Sequence, residues 1–339
     1  MRALVSTVVG GPETLAIGEL PEPEPAPGQV LLRVRACGVN YPDALTIRDL
    51  YQVKYPRPFA PGAEVCGVVE RLGEGAAGVA VGDLVVASCM TGGMAERVAV
   101  PAAACTRVPP GTSPIVAAGF MLTYSTAWHA LRDRAALRAG ETLLVLGAAG
   151  GVGAAAVDVG RALGARVVAA ASSDERLAFA RALGAVDGLA YPAALDGTEA
   201  IRALAAGLKA RVGPRGADVV LDPVGGAYSE AALRAIAREG RFLVVGFVAG
   251  IPRVPLNLVL LKACRIVGVD VRMFREETPG RAAENAAELV AMLADGRLRP
   301  PVAETFPLER APEAILRLMA RRAVGKLVVS LEPGAGVSP

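Results

Sequence analysis

Two textures of apolar patterning divide the chain. Up to about residue 122 the apolar runs are short and broken by Gly and Pro. Val30-Leu31-Leu32-Arg33-Val34-Arg35-Ala36 alternates towards its end, which predicts a half-buried strand. Further strands are expected over 65–71 and 83–87, with a Pro-rich connection over 21–28 and a boundary loop over 101–114. From about 123 to 264 the runs become continuous. Thr142-Leu143-Leu144-Val145-Leu146 and Arg166-Val167-Val168-Ala169-Ala170 have no polar face, as strands covered on both sides require. Helix patterns follow them over 151–163 and 174–183, the second capped by Ser172, Ser173 or Asp174. Strands over 217–221 and 241–245 flank a helix over 229–238. Alternation of this kind predicts βαβ units and a doubly wound parallel sheet, hence an α/β fold. Beyond Cys264 come a strand over 265–269, helices over 281–294 and 311–320, and a last strand over 326–330. This tail is too short to build its own core and is expected to return to the N-terminal part. The predicted domains are therefore 1–122 with 265–339, β-rich, and 123–264, parallel α/β.

Composition narrows the function classes. Hydrophobic residues make up 53% of the 339 and charged residues 20%, enough apolar material for packed cores and against disorder. The net charge is only +3, with basic and acidic residues interspersed, so nucleic acid is not the expected partner. No apolar stretch reaches a membrane span of about 18 residues. The five cysteines, Cys37, Cys66, Cys89, Cys105 and Cys264, are odd in number and contain no C-x-x-C pair. Neither a disulfide framework nor a metal cluster is expected. The first residues lack the apolar core of a signal peptide. The expectation is a soluble, cytoplasmic protein without membrane partners.

The stretch with the clearest chemistry is Leu146-Gly147-Ala148-Ala149-Gly150-Gly151-Val152-Gly153. It leaves a buried strand and opens a helix, the context of a dinucleotide-binding loop. Ala148 takes the first glycine position of that motif. Gly150 lets the backbone approach a pyrophosphate, Gly153 lets the helix pack on the strand, and Gly151 and Val152 offer helix-start N–H groups to phosphate. This makes the 123–264 domain a Rossmann domain. The second strand ends Ala170-Ala171-Ser172-Ser173, without the Asp or Glu that would bind both ribose hydroxyls of NAD. Ser172 and Ser173 with Arg176 suit a 2′-phosphate instead, so the cofactor expected is NADPH. Asp222 and Val224, and Gly246 and Phe247, lie at later strand ends on the same sheet edge, where α/β ligands bind. Phe247 lines either the pocket or the core.

With these stretches in place, the chain resembles the medium-chain dehydrogenase/reductase superfamily over essentially its whole length. It looks most like the zinc-independent quinone oxidoreductase (zeta-crystallin-like) branch. The resemblance is carried by Ala36-Cys37-Gly38-Val39-Asn40-Tyr41-Pro42-Asp43, Tyr51-Gln52-Val53-Lys54, Pro58-Phe59-Ala60-Pro61-Gly62-Ala63-Glu64, Leu122-Thr123-Tyr124-Ser125-Thr126-Ala127-Trp128-His129 and Asp222-Pro223-Val224-Gly225-Gly226. It implies that the β-rich domain is GroES-like. Zinc members read G-[VI]-C and G-H-E at their first two ligands; here Asn40 and Ala63 stand there, and Gly119 lies near the third. His129 is the only histidine. No metal is therefore expected. After Val267-Gly268-Val269, relatives carry Trp-Gly where this chain has Asp270-Val271-Arg272, which puts the acceptor's identity in doubt.

The implied activity is hydride transfer from NADPH to a small electrophile, a quinone or similar conjugated carbonyl. Such an acceptor needs no Lewis acid. Asn40 and Tyr51 are the catalytic candidates. Asn40 bonds a carbonyl or the nicotinamide ribose, or else only shapes a turn. Tyr51 donates to the acceptor oxygen, or else only packs. Asp43 and Glu64 order loops or assist. Thr123 and Thr126 fall where the family contacts nicotinamide, and Tyr191 near the adenosine phosphate or else merely at the surface. Lys326 reaches a phosphate or, as expected of a strand-end Lys, is solvated. An enoyl or acryloyl thioester reductase is the enzymatic alternative. A structural or RNA-binding crystallin-like protein is the alternative of another class. The resemblance also implies a homodimer, paired through edge-strand material in 257–271.

Overall fold

The computed structural model describes residues 1–332. The chain forms two compact units, one of Met1–Leu122 with residues 300–332, the other Thr123–Arg299.

The first unit is built on a seven-stranded sheet. Along it run Val302–Pro307, Lys326–Ser330, Gln29–Gly38, Glu64–Leu72, Leu84–Ser88 and Cys105–Arg107, while Arg97–Pro101 also pairs with Gln29–Gly38. Pairing is antiparallel except between the first two of these strands. The alternation in 30–36 is realised: Val30, Leu32 and Val34 are buried in one core with Val65, Val69, Val85 and Phe306. Arg33 and Arg35 instead carry Glu70 and Glu332 as ion-pair partners. The expected loop over 101–114 is shorter than the sequence indicates. Cys105–Arg107 pairs with Leu84–Ser88, a three-residue strand too short to show periodicity.

The second unit holds six parallel strands in the order Asp187–Ala190, Arg166–Ala171, Thr142–Leu146, Ala217–Asp222, Ile236–Val244, Arg265–Gly268. In chain order this is 3-2-1-4-5-6, the Rossmann arrangement. Every residue of Thr142–Leu146 is buried, which is why the strand needs no polar alternation. The strand order reverses between Thr142–Leu146 and Ala217–Asp222, so their carboxyl ends open the crevice where α/β sheets bind ligands.

Two expectations require correction. Residues 265–299 belong to the second unit and not to the returning segment. Arg265–Gly268 is the sixth strand, registered on Arg241–Val244, and helices Val271–Glu277 and Pro279–Ala294 follow it. Arg299 then anchors this segment by donating its N–H to Asp158 at 2.6 Å. The helix expected over 229–238 spans Gly226–Ala235 instead, and the chain passes directly into Ile236–Val244. A register irregularity between Ala217 and Val219, together with φ of +60° at Glu239, absorbs the change of direction. Among the described residues, no helix is long and apolar enough to cross a membrane.

Candidate active site

The glycine loop is shaped by its first glycine. Gly147 has φ +58°, and a Cβ there would lie 2.9 Å from Val224 Cγ2, so the turn needs glycine on both counts. Ala148, read as the first motif position, is fully buried and donates its N–H to the Ala170 carbonyl at 3.1 Å. Its side chain and amide are both used internally, and Gly147 is the turn residue. A Cβ at Gly153 would meet the Gly147 carbonyl at 2.1 Å, which fixes the close approach of helix to strand. The helix Gly151–Ala162 has no side-chain cap. Its first intrahelical bond at this end runs from Ala154 N–H to the Gly150 carbonyl, 2.7 Å. The N–H groups of Gly151, Val152 and Gly153 precede that bond and form the positive end of the helix dipole. A pyrophosphate fits such an end.

Thr123 and Thr126 are both buried on the helix Met121–Trp128. A Cβ at Gly151 would lie 3.2 Å from Thr123 Cγ2, so Thr123 adjoins the start of the phosphate-facing helix. Tyr191 is not a surface residue. It is buried, tilts against Tyr228 at 4.9 Å between ring centroids, and takes a backbone hydrogen bond from Gly147. Burial pushes its hydroxyl up to about 12, so it stays protonated beneath the loop.

At the end of Arg166–Ala171 the structure places Ser172 exposed, Ser173 half-buried and Arg176 half-buried. Ser173 is the cap of the helix Asp174–Ala182, its Oγ accepting the Arg176 N–H at 3.3 Å. Asp174 and Glu175 are exposed in the first helical turn, so no carboxylate terminates the strand. Asp222 is buried, and its carboxylate organises its own loop. Oδ1 accepts the N–H groups of Val224 and Gly225 at 2.8 and 2.9 Å, and Oδ2 accepts the Ser229 hydroxyl at 2.5 Å. Burial raises the pKa of its carboxyl above the ordinary value, and these three bonds oppose the rise. Gly246 is half-buried and donates its N–H to the Asp222 carbonyl at 3.3 Å. Phe247 is 48% exposed, which excludes the core reading.

In the first unit, Asn40 belongs to a buried polar cluster whose centre the sequence reading misjudged. Lys326 is 5% exposed, not solvated. Its Nζ donates to Asn40 Oδ1 at 2.5 Å and to Glu64 Oε2 at 2.9 Å. Asn40 Nδ2 donates to the Gly38 carbonyl at 3.0 Å and to Glu64 Oε2 at 3.1 Å. Glu64 Oε1 accepts the Leu122 N–H at 2.6 Å. Asp43 Oδ2 accepts the Asn40 N–H at 2.7 Å and so closes the first turn of the helix Tyr41–Thr46. Burial pushes the Asp43 carboxyl up to about 7, against the Asn40 backbone bond and the Lys326 charge. Tyr51 is half-buried on the bend that follows this helix. The signal that could have pointed to Lys326, and was not used, is Glu64: an acid beside the buried run Val65-Cys66 calls for a counter-charge.

A parallel sheet in Rossmann order with a glycine loop at its switch point, joined to a β-rich unit completed by the strands Val302–Pro307 and Lys326–Ser330, defines a two-domain dinucleotide-dependent oxidoreductase. The sequence signature of the alcohol dehydrogenase GroES-like domain matches residues 26–110, and that of the zinc-binding dehydrogenases matches 151–288. Quinone oxidoreductase-like protein 2 of Bos taurus is 35% identical over 94% of this chain and 89% of its own length. The quinone oxidoreductase of Thermus thermophilus, solved also in complex with NADPH, is 36% identical, with a TM-score of 0.82 over 98% of this chain and all of that one. A mycobacterial structure complexed with NADPH is 30% identical, with a TM-score of 0.88 over 97% and 99% of the two chains. The chain belongs to the medium-chain dehydrogenase/reductase superfamily, in its quinone oxidoreductase branch.

The family signature carries zinc in its name, but the residues here do not fit that ion. Among the described residues, no group of three or more His, Cys, Asp or Glu is arranged to hold a metal. The cluster at Asn40 already contains a cation, the Lys326 ammonium.

Proposed function

We propose that this oxidoreductase uses NADPH and passes its hydride, without zinc, to a quinone or a similar conjugated carbonyl. The observation that carries the cofactor is the end of Arg166–Ala171. An exposed Ser172 and the Arg176 side chain follow it, with no carboxylate at the strand end itself, the nearest being Asp174 and Glu175 in the helix that follows. In this reading the N–H groups of Gly151, Val152 and Gly153 hold the pyrophosphate. Thr123 and Thr126 hold the nicotinamide end. Ala148, Tyr191, Asp222 and Val224 support the loops from below, and Gly246 and Phe247 border the same sheet edge. Bound NADPH supplies the hydride. The chain's own task is placement, since a conjugated carbonyl is already electrophilic. Asn40 and Tyr51 are the polar side chains proposed to act on the reacting partners.

Apo protein titrated with NADPH and NADH, then assayed for NADPH oxidation against quinones, enones and enoyl thioesters, tests the reading. Tighter NADPH binding with quinone- or enone-dependent oxidation supports it. Turnover confined to thioesters replaces the acceptor, and failure to bind either nucleotide overturns the whole.

The protein is further proposed to be a cytoplasmic homodimer. All five cysteines are unpaired. The sheet edge Arg265–Gly268 pairs on one side only, and Leu256, Leu260, Leu261 and Ile266 beside it are exposed. Light scattering would show twice the chain mass; a monomer mass overturns this.

A further inference from the structure

We infer that Lys326 is a positioning residue for the proposed reaction: a protein-borne cation that fixes the Asn40 amide, so that Asn40 can accept a hydrogen bond but not give one. The role given to Asn40 rests on the oxidoreductase reading above; the coupling of the two residues does not.

The first argument is an account of donors and acceptors. An amide NH2 has two donors and its oxygen two acceptor sites. Both donors of Asn40 are engaged, one by the Gly38 carbonyl and one by Glu64 Oε2. Its oxygen takes one bond from Lys326, which leaves one acceptor site. The ammonium also settles which amide atom is oxygen, because Lys has no acceptor to offer a nitrogen. Asn40 therefore matches a hydroxyl donor, such as a ribose hydroxyl of the nicotinamide nucleotide, and not the carbonyl of the acceptor. Of the two roles the sequence left open, this balance of donors and acceptors supports the ribose hydroxyl.

The second argument is that the place is built for the lysine stem. A Cβ at Gly119 would lie 3.0 Å from Lys326 Cγ. A Cβ at Gly38 would lie 3.1 Å from Lys326 Cε, 2.7 Å from Glu64 Oε2 and 2.3 Å from the Ala118 carbonyl. Two glycines thus clear the path of a side chain that ends on Asn40. Asn40 and Ala63 stand at the positions that the resemblance assigns to the first two zinc ligands, and Gly119 lies near the third. Here one is the side chain held by the ammonium, another lies beside its carboxylate partner Glu64, and the third borders its stem. The ammonium stands in for the metal's charge, and Gly119, near the third ligand position, leaves space for the methylenes.

Removing Lys326 alone would leave Glu64 buried and uncompensated, so the informative variant is K326M/E64Q, which removes both charges together. It is compared with N40A and with the triple variant. Thermal unfolding, the NADPH dissociation constant and single-turnover hydride transfer are measured on each. K326M/E64Q is expected to unfold near the parent temperature and yet to lose about 10- to 100-fold in NADPH affinity or transfer rate. The loss should match that of N40A, and the triple variant should be no worse. A K326M/E64Q protein within twofold of the parent, or losses that multiply in the triple variant, would overturn the inference. If that variant does not fold, the parent decides: the Asn40 side-chain amide, assigned by its disappearance in N40A, should exchange its protons slowly. Exchange at solvent rate is the overturning result, and this reading stands apart from whether any acceptor is turned over.

Discussion

Val224 packs against Gly147 across the point where the strand order reverses, its Cγ2 only 2.9 Å from where a Gly147 Cβ would sit. The two loops that line the crevice are thereby in register through one glycine, whose φ of +58° already excludes most side chains. Gly147→Ala should cost about 1–2 kcal/mol for the left-handed backbone, with a further loss from the clash. Val224→Ala should recover the clash but not the backbone cost. Thermal unfolding of the two single variants and the double, each with and without NADPH, checks this. Equal stability of G147A and the parent would show that the loop relaxes freely.

Cofactor choice should turn on Ser172. It is exposed directly after Arg166–Ala171, so Ser172→Asp places a carboxylate where a 2′-phosphate would come. The ratio of kcat/KM for NADPH over NADH should fall by about 10- to 100-fold, in keeping with ~1.4 kcal/mol per factor of ten from like-charge repulsion. Arg176→Ala should lower the same ratio less, because Ser172 and the helix start remain. An unchanged ratio in both variants would place the 2′-phosphate elsewhere.

Legibility in the sequence followed burial and locality. Thr142–Leu146 and Arg166–Ala171 could be read because, after their first residues, strands covered on both faces show only apolar side chains. The sixth strand, Arg265–Gly268, could not be placed. It has four residues, begins with arginine and is mostly exposed, so its identity depends on the neighbour it pairs with. The same holds for Lys326. Its partners Asn40 and Glu64 lie 286 and 262 residues away, and a lone lysine at a strand start is solvated by default. The part of Gly147 was not legible beside Ala148, because the motif fixes spacing, while the positive φ that singles out Gly147 appears only in the fold.

Asp43 should make stability depend on pH. Its folded-state value is about 7, above the ordinary 3.8, because burial outweighs the Asn40 backbone bond and the Lys326 charge. The native state then holds a proton that the unfolded chain releases between about 4 and 7. The contribution to stability is fully present below about 4 and is lost as pH rises through 7, at up to ~1.4 kcal/mol per pH unit. Asp43→Asn removes this term and can still accept the Asn40 N–H. The melting temperature of D43N relative to the parent should therefore rise from pH 4 to pH 7 and level off above. Parallel pH profiles for the two proteins would show that Asp43 is ionised throughout.

The helix that carries Thr123 and Thr126 is tied to the phosphate-facing helix by one buried carboxylate. Asp158 is fully buried and accepts the Tyr124 hydroxyl at 2.9 Å, Arg161 at 2.6 Å and the Arg299 N–H at 2.6 Å. Tyr124→Phe removes one of these bonds without opening a cavity, so its stability cost should be about 1–3 kcal/mol, as for a hydrogen bond to a charged group. Asp158→Leu removes the acceptor for all three and leaves buried donors unpaired, and its cost should be larger, about 3–5 kcal/mol. Because Thr123 adjoins the start of the Gly151–Ala162 helix, loosening Tyr124 should also raise the KM for NADPH while leaving kcat nearly unchanged. Chemical denaturation and steady-state kinetics on Y124F read the two effects separately. A stability loss with no change in KM would confine Asp158 to the core and detach the threonines' placement from it.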